Sequence, residues 1–290
     1  MLVLVCVSVI ILGCSSNPQD RNLHIVCTTG LLGDLVVNVA GDAGDLVVVL
    51  IPSGNDPHSY TATHIDLEAL ERADVVFHHG LGLEKELIQD LERVSETAKV
   101  HSVAEGLPTN LLRHTSPEVV DPHIWLDPLL WKEAVGPVVA ALSELRPNRF
   151  GVFKLNGERY RARLDTLHQW VESEIATVPP GQRQGVTVHE AFGYLGRAYG
   201  LEIRGLLGQS AIPSHNLVDW AVERRVKTVF PQSHVSESGL DTLLASLGDR
   251  GIFVERADTV FTDTLDRSGS GATYVSTMRA TVTTIVDALR

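Results

Sequence analysis

Two stretches hold the residues best suited to chemistry: Asp121-Pro122-His123-Ile124-Trp125-Leu126-Asp127-Pro128 and, earlier, Asp56-Pro57-His58. Each puts a histidine directly after a proline. Proline fixes its own φ and pushes the aspartate before it into extended geometry. The imidazole therefore leaves a stiff backbone, with a carboxylate near enough to support it. A repeated, stiffly delivered imidazole is what a metal site needs. For either copy alone the competing reading is an ordinary turn, with Asp capping a helix and His partly buried.

The elements around these stretches alternate. Residues 23–29 read as a strand, 31–40 as a helix with Leu32, Leu35, Val36 and Val39 on one face, and 45–51 as an apolar strand buried on both faces. A helix over 66–72, a strand over 73–79, a helix over 84–96 and a short strand over 99–103 follow. Such alternation predicts parallel βαβ units. Residues 106–120 read as loop, 127–145 as one helix opened by Pro128, and 150–178 as a single long helix without internal proline, Gly157 lying inside it and Gly151 at its start. At 1.5 Å per residue that helix would span roughly 40 Å, the length of a whole domain. Pro179-Pro180-Gly181 is the clearest break, and beyond it alternation restarts: strands over 185–188, 201–207, 228–230 and 251–255, helices over 191–199, 217–225, 239–247 and 274–289. The expected fold is α/β, with two lobes, each a mostly parallel sheet with flanking helices, joined by one long rigid helix. The expected divisions are 1–20 as signal and tether, 21–146 and 181–290 as the lobes, and 147–180 as the connecting helix.

Four positions then stand in loops just past strand ends, where open parallel sheets place ligand sites. They are His58, His123, His189 and Asp263, separated by 65, 66 and 74 positions. That spacing is unlike a zinc finger or a His-Glu-x-x-His helix, whose ligands lie close in sequence. It suits a site built between two lobes, with two ligands from each. Three imidazoles and a carboxylate match zinc and could hold manganese. With 12 histidines in the chain, spacing alone does not single out these four.

Composition sets the outer bounds. Apolar residues make up 44% of the 290, enough for a large core, and the net charge of −12 argues against a nucleic-acid partner. No internal run is long enough to span a membrane. Met1 to Gly13 is apolar and uncharged, and Ile11-Leu12-Gly13-Cys14 resembles the lipobox of a bacterial lipoprotein, in which Cys14 would carry lipid. Residues 15–20 would be a polar tether. An export signal ordinarily has Lys or Arg ahead of the apolar run, and this one does not. The alternative is a buried N-terminal strand. Of the three cysteines, only Cys27 lies in the body, as a small core residue, so the mature chain is expected to have no internal disulfide and no cysteine metal cluster.

Longer motifs sharpen the reading. Residues 54–63 (Gly-Asn-Asp-Pro-His-Ser-Tyr-Thr-Ala-Thr), Asp66, Leu70, Ala73-Asp74-Val75-Val76 and Gly80-Leu81-Gly82-Leu83-Glu84 resemble the first half of the zinc/manganese solute-binding proteins of ABC importers, the TroA-like family. The resemblance continues through residues 121–128, His189-Glu190-Ala191-Phe192-Gly193-Tyr194, Ala198-Tyr199-Gly200, Phe261-Thr262-Asp263 and residues 273–278. It covers essentially all the mature chain. It implies that His58, His123, His189 and Asp263 are the metal ligands. It also implies that the fold is two α/β lobes on one rigid helix, and that Zn²⁺ or Mn²⁺ is the transported ligand. The implied protein is a monomer outside the cytoplasm, lipid-anchored to the cell membrane or in the periplasm, with an ABC permease as partner and no nucleic acid. Two departures bear on the metal. The long His- and acid-rich loop of zinc-specialised members is missing, and His189 stands where manganese-specialised members often have Glu. A nitrogen-rich set favours zinc over manganese.

Other residues have blander readings. His78 and His79 are read as structural, facing opposite sides of a strand. His114 is read as solvated loop, and His24, His101, His168, His215 and His234 as surface or satisfied core. His64, where relatives have proline or a small residue, has no assigned part. Glu190 is read as a solvated carboxylate at a helix start, favoured by the dipole. A zinc hydrolase with Glu190 as base is the enzymatic alternative, but four protein ligands leave no open position for water in a tetrahedral site. A receptor for a metal chelate of siderophore or cobalamin type shares the two-lobe plan and would want a wide aromatic or Arg-lined cleft.

Overall fold

A computed structural model describes residues 21–42, 45–206, 215–235, 237–266 and 272–290. The lipobox, Cys14 and the tether lie outside them. The first lobe runs β1 (His24–Cys27), α1 (Gly30–Ala40), β2 (Leu46–Val49), α2 (His64–Glu71), β3 (Val75–His78), α3 (Ile88–Val94) and β4 (Lys99–Ser102). The strands form one parallel sheet in the order β2-β1-β3-β4. Helix α1 starts where it does because the Thr29 side chain accepts from the Leu32 amide, and it buries Leu32, Leu35, Val36 and Val39. Helix α2 opens on a capping box between Thr63 and Asp66.

Two expectations for this lobe are corrected. The apolar run at 45–51 is not buried on both faces: β2 is the sheet edge, and Leu46 and Val49 are exposed. The central strand β1 takes that buried place. The predicted loop 106–120 contains a short antiparallel hairpin, β5 (His114–Ser116) and β6 (Val119–Val120).

Past the hairpin, α4 (Pro128–Trp131) and α5 (Val135–Leu145) replace the single predicted helix, with a tighter 3₁₀ turn over Lys132–Ala134 between them. Pro137 explains the change: it has no N–H to offer the carbonyl of Glu133. Helix α6 (Phe150–Ala176) is the predicted long connector, 27 residues unbroken. It buries Phe153, Tyr160, Leu164, Leu167, Val171 and Ile175 along one stripe.

The second lobe runs β7 (Gln184–His189), α7 (Gly193–Tyr199), β8 (Glu202–Leu206), α8 (His215–Arg224), β9 (Thr228–Phe230), α9 (Glu237–Gly248), β10 (Glu255–Arg256) and α10 (Tyr274–Leu289). Its sheet is also parallel, in the order β10-β9-β7-β8. Of the predicted strand 251–255 only Glu255 is paired, in β10, and Phe253 before it faces solvent at 88% exposure.

One large core joins the lobes. It contains Ile25 of β1, Leu35 of α1, Leu164 of α6, Leu195 of α7, Phe230 of β9 and Val282 of α10. Smaller clusters lie under α8 and α9, and on the other face of the first sheet. Polar ties fix α6 to both sides: Tyr160 donates to Asp34 on α1 at 2.8 Å, and His168 bonds the Tyr199 hydroxyl of α7 at 2.8 Å. Among the described residues no helix is long and apolar enough to cross a membrane.

Candidate metal centre

His58 comes from the loop after β2. Asp56 shapes that loop by accepting from the His58 amide at 2.9 Å and the Ser59 hydroxyl at 2.8 Å, an Asx-type turn. Asp56 thus supports the backbone of His58 and not its ring. At the second copy of the motif the support is direct. Asp121, buried, accepts from the His123 amide at 3.1 Å and pairs with His123 Nδ1 at 2.7 Å. The same carboxylate accepts from Arg113 Nη1 at 2.7 Å. Nδ1 is thereby assigned the proton, which leaves Nε2 with a lone pair pointing the other way.

His189 ends β7. Its amide donates to the buried Gln232 side chain at 2.7 Å, and Gln232 donates back to its carbonyl at 3.1 Å. Asp263 lies in the segment between β10 and α10. The neighbouring Thr262 carbonyl accepts from Trp125 Nε1 at 2.6 Å, so the His123 and Asp263 segments are bonded across the lobes. Tyr274 donates to the Trp125 carbonyl at 2.7 Å, and Ser53 to the Leu265 carbonyl at 2.8 Å.

The structure brings all four sequence-predicted residues together. One donor atom from each of His58, His123, His189 and Asp263 lies within 4.8 Å of the others. His58 Nε2 and His123 Nε2 are 3.2 Å apart. Carboxylate oxygens of Asp263 lie 3.3 Å from His189 Nδ1, 3.7 Å from His123 Nε2 and 3.8 Å from His58 Nε2. A tetrahedral zinc with bonds of about 2.0–2.1 Å has ligand atoms roughly 3.3–3.4 Å apart. The observed edges bracket that value.

The decisive atoms are the two oxygens of Asp263. Both are buried and neither has a hydrogen-bond partner. An ionised carboxylate at that depth is costly unless something compensates it. Burial pushes Asp263 up, but His234, His189 and His123 outweigh it and hold the acid well below the usual carboxylate range. The imidazoles divide. Burial lowers His58, and lowers His189 well below its ordinary value. Burial also pulls on His123 and His234, but Asp263 leads the groups that win and raises both. A ring of imidazole nitrogens around an unpartnered carboxylate can hold one divalent cation.

Residues 25–288 match the family described as zinc-uptake complex component A, periplasmic (ZnuA). The chain belongs to this family. Among relatives, it is 31% identical to the manganese-binding lipoprotein MntA of Bacillus subtilis, over 96% of this chain and 94% of that one. It is 32% identical to the zinc-binding protein TroA of Treponema pallidum, over 96% and 92%. The solved structure of the periplasmic zinc-binding protein TroA from T. pallidum superimposes with a TM-score of 0.87 at 31% identity, covering 93% of this chain and 99% of that one. The ZnuA family supplies a binding component, so the protein is not an enzyme.

Two readings of individual residues change. His234, read as surface or satisfied core, stands inside the centre: its side chain is 2% exposed and its Nε2 is 3.1 Å from Asp263 Oδ2. It follows β9 by four residues, past a strand end like the others, and that position was the sequence signal for it. Glu190 is not a solvated helix-start carboxylate. It precedes α7, accepts from the Gly205 amide, and burial raises its pKa. His79 does sit near the centre, but its Nε2 is bonded to Thr29 Oγ1 at 2.7 Å and its ring packs on Trp125 and Trp131. Burial lowers it to about 4. Beneath it Glu84, held at about 2 although burial opposes ionisation, accepts from Thr28, His79 and Gly80. His78 lies 3.9 Å from the same carboxylate. His24 and His114 are exposed, as expected, and exposed His64 lies 3.2 Å from Glu68. The His215 side chain is outside the described residues.

Proposed function

We propose that this protein is the extracytoplasmic solute-binding component of an ABC importer for a divalent metal ion. His58 and His123 from the first lobe and His189 and Asp263 from the second are its ligands. The observation that carries the assignment is the buried Asp263 carboxylate, unbonded at both oxygens and faced by imidazole nitrogens from both lobes. The relatives named for zinc and for manganese support both ions as cargo. The nitrogen-rich donor set favours zinc by the usual order of divalent affinities. The ion is captured dehydrated between the lobes and handed to the membrane permease. Cys14 is the lipid anchor that keeps the protein at the membrane, and the protein acts as a monomer. The lobes are residues 21–146 and 181–290, joined by 147–180, and the long helix restricts opening to small local movements.

The test is a competition titration of the metal-stripped protein with zinc and manganese. The expected result is one ion per chain, with zinc displacing manganese. His189→Ala should lower zinc affinity by more than the roughly 10–100-fold that loss of a supporting partner costs. Unchanged affinity in that variant would remove His189 from the ligand set.

A further inference from the structure

Asp263 serves two sets of donors. Its carboxylate completes the set of His58, His123 and His189. It also groups with Asp56 and His234, one donor atom of each lying within 4.8 Å of the others. His234 stands outside the common reach of the first set, so the two sets meet only at Asp263. In the turn after β9, its side chain is 2% exposed and its Nε2 is 3.1 Å from Asp263 Oδ2. Two ligands about 2.0–2.1 Å from one ion lie roughly 2.9–3.4 Å apart, from octahedral to tetrahedral geometry. The observed edge falls in that interval. Asp56 comes from the loop that carries His58. Its oxygens accept from the His58 amide and the Ser59 hydroxyl, which fixes the carboxylate in place and leaves lone pairs free on both oxygens. Asp56, His58 and His234 line the same cleft.

We infer that Asp56, His234 and Asp263 form a second cation position, which shares Asp263 with the first and is filled in alternation with it. The inference rests on the reading of His58, His123, His189 and Asp263 as the metal site. Two dications on one buried carboxylate would repel each other strongly at low dielectric, so a single ion takes one position or the other. The donors of the two positions differ in kind. Three imidazoles and one carboxylate suit zinc, whereas two carboxylates and one imidazole suit a harder ion such as Mn²⁺. Three protein ligands also leave places for water, so the second position accepts an ion that is still partly hydrated. Its two carboxylates balance the charge of one dication. Like the first position it draws on both lobes, Asp56 from one and His234 and Asp263 from the other. The second position is thus the manganese position, and Asp56 and His234 are specificity-determining residues.

The test measures Mn²⁺ affinity by electron paramagnetic resonance of the free ion, and zinc affinity by competition with a chromogenic chelator, in His234→Gln and Asp56→Asn. Glutamine keeps an N–H for Asp263, and asparagine keeps an oxygen for the His58 amide, so a purely structural role survives both changes. Each variant should lose at least about tenfold in manganese affinity, the lower end of what even a supporting partner contributes, with zinc affinity nearly unchanged. His58→Ala should do the reverse and lose more zinc affinity than manganese affinity. Unchanged manganese affinity in either of the first two variants, or an equal loss for both ions, would overturn the inference. An unaltered protein that binds neither ion would be the separate failure of the metal reading itself.

Discussion

At the scale of single residues, proton and metal compete for the same nitrogens. Metal ligation needs neutral imidazole, so binding releases whatever protons the free site holds. His58 and His189 are lowered by burial and are already neutral near neutral pH. His123 and His234 are raised despite burial, chiefly by Asp263, and hold their protons to higher pH. Affinity should therefore rise as pH climbs from about 5 to 8 and flatten once both are neutral. Calorimetry in buffers of different ionisation enthalpy should show proton release that shrinks over the same interval, and pH-independent affinity would contradict the assignment. Asp121 acts one step removed, by fixing the His123 ring through Nδ1. Asp121→Asn should cost roughly 10–100-fold in metal affinity, with circular dichroism unchanged. Full affinity in that variant would show that ring orientation is set by packing alone.

At the scale of elements, α6 decides how closely the lobes are coupled. At Gly157 the helix backbone meets α5 closely: a Cβ there would lie 2.9 Å from Val139 Cγ2 and 3.1 Å from Val135 Cγ1. Alanine would gain roughly 1 kcal/mol in helix propensity but push on both valines. A larger residue has only the clash. Gly157→Val should destabilise by about 1–3 kcal/mol, read as a lower denaturant midpoint, and an unchanged midpoint would mean α5 moves aside freely. The helix itself was legible because its apolar residues recur at helical spacing without proline. The pause between α4 and α5 was missed, because the periodicity over 127–145 reads straight through it, although Pro137 marks it. The hairpin at 114–120 was not, because strands of three and two residues carry too little pattern.

At the scale of the whole molecule, one core runs from β1 through α6 to α10 and serves both lobes. Metal bound between the lobes should then stabilise one cooperative unit. At free zinc 100-fold above its dissociation constant the gain is about 2.7 kcal/mol, several degrees in a chain of this size. Differential scanning calorimetry should show one transition that moves up with zinc, and two independent transitions would mean that the lobes unfold separately. The sequence by itself determined the α/β class, the long connector, and the stiff delivery of His58 and His123, because these follow from local periodicity and from proline geometry. Motif resemblance pointed to His189 and Asp263 as well. Only the tertiary structure decided which other histidines join them. His234 and His168 look equally ordinary in sequence, yet one faces the Asp263 carboxylate and the other a tyrosine on α7. It also decided that β2 is an edge strand and that Asp263 keeps its charge without a hydrogen bond. Sheet order and the meeting of residues 65 to 205 positions apart are set by long-range packing, on which local patterns of chain have no bearing.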